Sequence, residues 1–307
     1  MKEGDGARGA VADAGRRTTS RRELARHERF EQISPEVGEL DTDAFEELLD
    51  EDPDAALALL ADLNGATDER LRDLARRLAG RVVVEIARFG PVPRRGVGRL
   101  TRARASGAEG DIDLDPSLDA ILLGRASGSR IDADDLVVST WRRPSIAVCL
   151  LVDRSGSMHG ERLAAAAVAA AAVVYRNGAD CSVVAFAEDA VVVKAQHESR
   201  TAEEVVGDLL RLRGFGVTNV ALAARVARQQ LDRSTAGRRI TVLLSDCRVT
   251  AGGDAVPDAA ALAELVVIAP EDDAADARAF ADAVGSRWTT LSGPSSVPTA
   301  LAEVLRD

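Results

Sequence analysis

The chain has 307 residues, 46% of them hydrophobic, 29% charged and 3% aromatic, with a formal charge of −11. That length can bury one large core or two ordinary ones. The acidic balance argues against nucleic acid as the main partner, because phosphate binding needs concentrated Lys and Arg. The basic runs Arg16–Arg29 and Arg94–Arg104 read as solvated tails or loops.

The N-terminus, MKEGDGARGAVADAGRR, lacks the apolar stretch of a signal peptide. Residues 1–28 are rich in Gly, Ala and Arg without periodicity, which predicts a disordered tail. A smaller, mainly helical region is predicted over 29–135. Its helices are Asp43–Leu49, Asp54–Leu63 after Pro53, which suits a helix start, and Asp68–Phe89. In the last of these Leu71, Leu74, Leu78, Val82 and Ile86 make one apolar stripe, ended by Gly90 and Pro91. Pro91–Gly110 reads as a long exposed loop and Leu114–Leu123 as a short helix. Leu136–Trp141 has strand character, either as a hairpin partner or as a sheet edge entering a second domain over 136–307.

From Ser145 the pattern changes to strands alternating with helices. Ile146–Val152 is a continuous apolar run, as expected of a strand buried on both faces. Leu163–Tyr175 is helical and, at thirteen residues, too short for membrane insertion, which takes about 20. Cys181–Phe186 and Ala190–Ala195 read as an antiparallel hairpin around Glu188–Asp189. Helices follow at Ala202–Leu212 and Val220–Leu231, strands at Ile240–Leu244 and Leu265–Ala269, then helix Ala274–Val284, strand Trp288–Leu291 and helix Val297–Leu305. Alternation of this kind predicts an α/β fold with a doubly wound, mostly parallel sheet. Cys149, Cys181 and Cys247 have no metal-ligand spacing, and an odd number of thiols fits a reducing, cytoplasmic setting.

Chemistry concentrates in Asp153-Arg154-Ser155-Gly156-Ser157-Met158, directly after the buried strand. Open α/β sheets bind ligands beyond the carboxyl ends of their strands, where strand order reverses. A carboxylate and two hydroxyls at i, i+2 and i+4, with Gly156 to curl the loop, offer converging oxygens to a hard cation such as Mg²⁺. Singly, each has a plainer alternative. Ser157 and Thr218 are placed to cap the helices that follow, and Asp246 to end a strand in water. A phosphatase with an aspartate nucleophile needs a second carboxylate two residues on, where this chain has Ser155. His27, His159 and His197 form no triad with a serine elbow.

Asp-x-Ser-x-Ser after an apolar strand resembles the metal-ion-dependent adhesion site of von Willebrand factor A domains. The resemblance covers Ser145 to the C-terminus. It implies a six-stranded sheet ordered 3-2-1-4-5-6, with two further ligands matched by Thr218 in Gly214-Phe215-Gly216-Val217-Thr218-Asn219 and by Asp246 after Ile240–Ser245. The site so implied is Asp153, Ser155, Ser157, Thr218 and Asp246, holding Mg²⁺ or Mn²⁺. The chain departs from the family's frequent Thr-Asp-Gly with Ser245-Asp246-Cys247. The family also implies a binding rather than a catalytic role, in which an acidic side chain of a partner completes the metal shell. The strings Trp141-Arg142-Arg143-Pro144 and Cys149–Met158 further resemble CoxE-like bacterial proteins. Those imply work beside a MoxR-type AAA+ ATPase on a client enzyme, with magnesium-chelatase D-type subunits as a related case. The chain contains no GxxxxGK[ST] loop of its own.

Overall fold

The computed structural model describes the chain apart from residues 17, 90–98, 108–109, 143–144, 155–159, 213–215 and 306–307. The described residues divide into two compact units, one of 1–93 with 146–305 and one of 94–145.

The larger unit begins with α1 (Asp5–Ala14), α2 (Arg21–Leu24), α3 (Phe30–Ile33), α4 (Thr42–Glu51), α5 (Pro53–Leu63) and α6 (Glu69–Phe89). Side-chain caps start several of them. Ser20 and Glu23 form a capping box on α2, while Asp41 and Asp52 accept from the first-turn amides of α4 and α5. The disordered tail expected over 1–28 is therefore corrected. Ala7, Val11 and Leu24 are buried, so tertiary packing rather than propensity holds these short helices. Lys2 even joins the sheet, donating its amide to Ala190 at 2.7 Å and accepting from Val192 at 2.9 Å.

The smaller unit, described by itself, holds β1 (Arg99–Arg104), β2 (Asp111–Ile112), α7 (Leu114–Ser127) and β3 (Val137–Arg142). Its sheet is ordered β1-β3-β2, with both neighbours antiparallel to β3. Ser117 ties α7 to β3 by exchanging hydrogen bonds with Val137 at 2.9 and 3.2 Å. Two expectations are corrected here. Part of the exposed loop at Pro91–Gly110 is strand β1, although 90–98 and 108–109 lie outside the described residues. Strand β3 belongs to this sheet and not to the edge of a domain starting at 136.

The larger unit resumes with β4 (Ile146–Asp153), α8 (Glu161–Asn177), β5 (Cys181–Phe186), β6 (Ala190–Lys194), α9 (Ala202–Arg211), α10 (Val220–Leu231), β7 (Arg238–Leu244), α11 (Val256–Ala260), β8 (Leu265–Pro270), α12 (Ala275–Val284), β9 (Arg287–Leu291) and α13 (Val297–Val304). These six strands form one sheet, β6-β5-β4-β7-β8-β9, in which only the β5–β6 pair is antiparallel. Counted within the sheet, this is the order 3-2-1-4-5-6. The fold is thus α/β, a mostly parallel sheet flanked by helices, as the alternation predicts.

Period-two alternation sorts β4 between two cores. Val148, Leu150 and Val152 face the core shared with α5, α6, α8 and α9. Ala147, Cys149 and Leu151 face the core shared with α10, α11 and α12. Helix α8 is buried along nearly its whole length, from Leu163 to Val174. Its alanines favour helix and present little bulk, so α8 packs β4 and β5 on one side and α5, α6 and α9 on the other. Helices α5 and α6 therefore form an outer layer over the sheet unit and are not a separate domain. Among the described residues, no helix is long and apolar enough to cross a membrane.

Candidate functional site

Strands β4 and β7 are the central parallel pair, in register from Ile146 opposite Arg238 to Val152 opposite Leu244. One residue further on, Asp153 is the last residue of β4 and Ser245 the first beyond β7. Ser245 donates its hydroxyl to Asp153 Oδ2 at 2.6 Å, and its Oγ accepts the Cys247 amide at 2.9 Å. Asp153 is 2% exposed and Asp246 7%, so both carboxylates sit where desolvation is costly unless a cation or donors compensate. They open on one cavity of about 650 Å³, lined also by Ser245, Glu161 and Arg162, with Leu244 and Leu291 as apolar wall. This is the switch-point crevice between the first and fourth strands of the sheet.

Asp246 Oδ1 accepts the Arg248 amide at 3.0 Å, and Oδ2 lies 3.5 Å from the Arg162 guanidinium. Between them Cys247 adopts φ 58°, the left-handed region that glycine occupies more easily. Glycine takes this conformation without steric cost, and the chain keeps the turn despite the Cys247 side chain. Burial pushes the Cys247 thiol up to about 12. The Ser245 hydrogen bond opposes that shift, while the charges of Asp153, Asp246 and Asp276 reinforce it.

Thr218 is buried on the loop before α10 but does not line the cavity. Capping does not account for it, because Asn219 is the N-cap and accepts from Leu222 at 2.9 Å. Thr218 is instead stitched to the loop after Asp246. Its amide donates to Thr250 Oγ1 at 2.8 Å, and its carbonyl accepts from Thr250 and Ala251, both at 3.2 Å. Gly252 lets that loop close in, since a Cβ there would stand 2.1 Å from Asn219 Oδ1. Ser155 and Ser157 lie outside the described residues, as does His159. Helix α8 starts with Gly160 at its N-cap position.

Both ends of the Asp153–Gly160 segment are tied down by residues whose part sequence reading missed. Arg154 pairs with Asp189, which also pairs with Lys2 at 2.7 Å. Burial raises the Asp189 carboxyl, but Lys2 and Arg154 together hold it below the usual aspartate range. At the other end the Gly160 amide donates to Asp62 Oδ1 at 3.3 Å, while Asp62 Oδ2 lies 3.0 Å from His27 Nε2. Asp54 at the start of α5 accepts the Ser295 amide at 2.7 Å, next to the cavity-lining Pro294. Apart from Asp189, these residues (Lys2, His27, Asp54 and Asp62) come from the N-terminal stretch, so only its tertiary packing reveals them.

Of the residues that would hold a divalent cation, Asp153 and Asp246 line the crevice, and carboxylate oxygens are the kind of donor a hard cation takes. The hydroxyl beside them is that of Ser245, which donates to Asp153. The described histidines are engaged elsewhere, His27 with Asp62 and His197 with the Arg233 carbonyl at 3.1 Å.

Residues 148–248 match the family model described as the von Willebrand factor type A domain. Solved structures with some similarity to this chain include a von Willebrand factor type A protein from Catenulispora acidiphila. It is 19% identical with a TM-score of 0.43 over 55% of this chain and 43% of that one. Another is proximal thread matrix protein 1 from the mussel byssus, at 15% identity and a TM-score of 0.45 over 53% and 48%. A third is the conserved hypothetical protein BatB from Bacteroides thetaiotaomicron, at 16% and 0.41 over 52% and 96%. The alignment spans less than half the length of the first two. No curated protein matches the sequence significantly.

Proposed function

We propose that the von Willebrand factor type A domain carried by this chain is a protein-binding module that works through a divalent cation. Asp153, Ser155, Ser157, Thr218 and Asp246 would hold Mg²⁺, or Mn²⁺ in its place. Bound there, the ion supplies a strong, directional contact for a carboxylate of the partner, and so lets one acidic protein bind another. The observation that carries this reading is the convergence of two buried carboxylates, Asp153 and Asp246, on one crevice at the switch point of the sheet. The chain's own residues do the rest. Ser245 orients Asp153, the Arg248 amide orients Asp246, and Asp62 and Asp189 hold the two ends of the loop between them.

The reading is one of binding and not of catalysis. We assign the partner as a MoxR-type AAA+ ATPase that acts with this chain on a client enzyme in a cytoplasmic setting. Two features support the assignment. The chain has no GxxxxGK[ST] loop, so ATP turnover would rest with a partner. Its N-terminal helices pack into the same unit as the sheet, which gives an adaptor a second surface.

The test is affinity capture from a lysate of the source organism in Mg²⁺ and in EDTA, with the unsubstituted chain and with Asp153→Ala. The expected result is an ATPase and a client retained in Mg²⁺, then lost in EDTA and with the folded variant. Equal capture by a folded Asp153→Ala chain would sink the metal mechanism. Metal-dependent capture of a set without an ATPase would replace the adaptor role by a scaffold.

A further inference from the structure

We propose that Arg162 is a resident cation of the crevice, which pairs with Asp246 in the metal-free chain and must yield that carboxylate before a divalent ion can enter. The inference rests on the metal reading above and concerns what sets the affinity of the site.

Arg162 is the second residue of α8, and the burial of that helix fixes where its side chain starts. The side chain is 24% exposed, and its guanidinium lies 3.5 Å from Asp246 Oδ2. The other oxygen, Oδ1, is taken by the Arg248 amide. Asp246 is thus engaged on both oxygens, on one side by backbone and on the other by a side chain able to move. A second seat for the guanidinium is already built. Its Nη2 donates to Asp273 Oδ2 at 3.3 Å and stands 4.0 Å from Asp272 Oδ2. Asp273 is itself held in place by Arg248 at 2.5 Å.

A divalent ion approaching Asp246 Oδ2 meets a positive charge within a few ångströms, in a crevice walled partly by Leu244 and Leu291. Like charges there repel more strongly than in open water. Loading is therefore an exchange: the ion takes Oδ2, and Arg162 relaxes onto Asp272 and Asp273. The arrangement lowers metal affinity while sparing a metal-free chain the cost of an uncompensated buried carboxylate. It also leaves a guanidinium beside the loaded site, where a partner's carboxylate arrives.

The test is calorimetric titration of the full chain with Mn²⁺ alone and with Mg²⁺ alone, for the unsubstituted protein, Arg162→Gln and Arg162→Lys. Arg162→Gln is expected to bind the ions about tenfold more tightly, the size of effect a neighbouring like charge exerts on an ionic site. Arg162→Lys, which keeps the charge, is expected to stay within about threefold of the unsubstituted chain. Equal or weaker binding by Arg162→Gln, with measurable binding by the unsubstituted chain, overturns this inference and leaves the metal reading standing. No binding by any of the three overturns both. If Arg162→Gln fails to fold, the unsubstituted chain decides by NMR. The Arg162 Nε–H signal, assigned by its loss in Arg162→Lys, is expected to shift as Mg²⁺ binds. A signal that stays put during saturable binding overturns the exchange.

Discussion

Ser245 Oγ stands between two loops, donating to Asp153 Oδ2 at 2.6 Å and accepting the Cys247 amide at 2.9 Å. One hydroxyl thereby sets the direction of a buried carboxylate and the path of the chain that presents Asp246. Ser245→Ala removes both bonds, one to a buried carboxylate and one to a buried amide. We expect a loss of about 2–3 kcal/mol in urea unfolding and weaker Mn²⁺ binding. Ser245→Thr should recover most of both. An unchanged midpoint for Ser245→Ala would show that the bridge is not formed in solution.

Cys247 combines a left-handed backbone with a buried thiol. A side chain in that region costs about 1–2 kcal/mol. Cys247→Ala keeps the strain and loses the sulfur, whereas Cys247→Gly loses the sulfur and relieves the strain. Cys247→Gly should therefore be more stable than Cys247→Ala by about 1 kcal/mol, measured by thermal or chemical unfolding. The thiol, pushed up to about 12, should resist iodoacetamide at pH 8 until the chain unfolds. Rapid alkylation of the folded protein would contradict its placement.

Glu264 offers a pH-dependent contribution far from the crevice. Burial raises its carboxyl, but Arg238, at 2.7 and 2.8 Å, and Arg287 together hold it below the usual glutamate range. A depressed folded value gives stability that is fully present above the unfolded value of about 4.3 and fades as pH falls through the folded value. Glu264→Gln should thus cost about 1–2 kcal/mol at pH 7 and progressively less below pH 4. A difference that grows towards acid would reverse this assignment.

The outer helical layer should be indispensable to the sheet unit. Phe30, Phe45, Leu57, Leu60 and Leu63 are essentially unexposed and belong to the core that includes α8. A chain trimmed to residues 136–307 uncovers that face of α8. It should be insoluble or melt without a cooperative transition in calorimetry. A soluble fragment with a sharp melt would restore the domain boundary expected from sequence. Within the full chain, Phe45→Ala should cost about 3–5 kcal/mol.

The sheet and its loops were largely legible because their signals are local. Helix α10 coincides with its predicted run Val220–Leu231, and β5 with its predicted run Cys181–Phe186. Asp153 and Asp246 were legible as carboxylates closing apolar strands. Helix α1 was not, because Gly6 and Gly9 weaken its propensity, and Ala7 and Val11 gain their burial from distant elements. Strand β1 was hidden by its Arg-rich composition, and its pairing with β3 spans dozens of residues. Arg162 carries no motif at all, and Ser245 stands in its string only as the residue before Asp246. Their parts follow from strand register and from the reach of a side chain, which a single sequence does not display.

The larger unit is assembled from two stretches of chain, 1–93 and 146–305, with the whole of 94–145 between them. During synthesis the first stretch leaves the ribosome before any strand of the six-stranded sheet exists. At about 5–20 residues per second, Phe30, Phe45 and the leucines of α5 wait on the order of ten seconds or more for α8 and β4–β9. For that interval the nascent helices present an apolar face with no mate in their own chain. Translation speed and chaperone supply should therefore govern the yield of this protein more strongly than the stability of the finished fold.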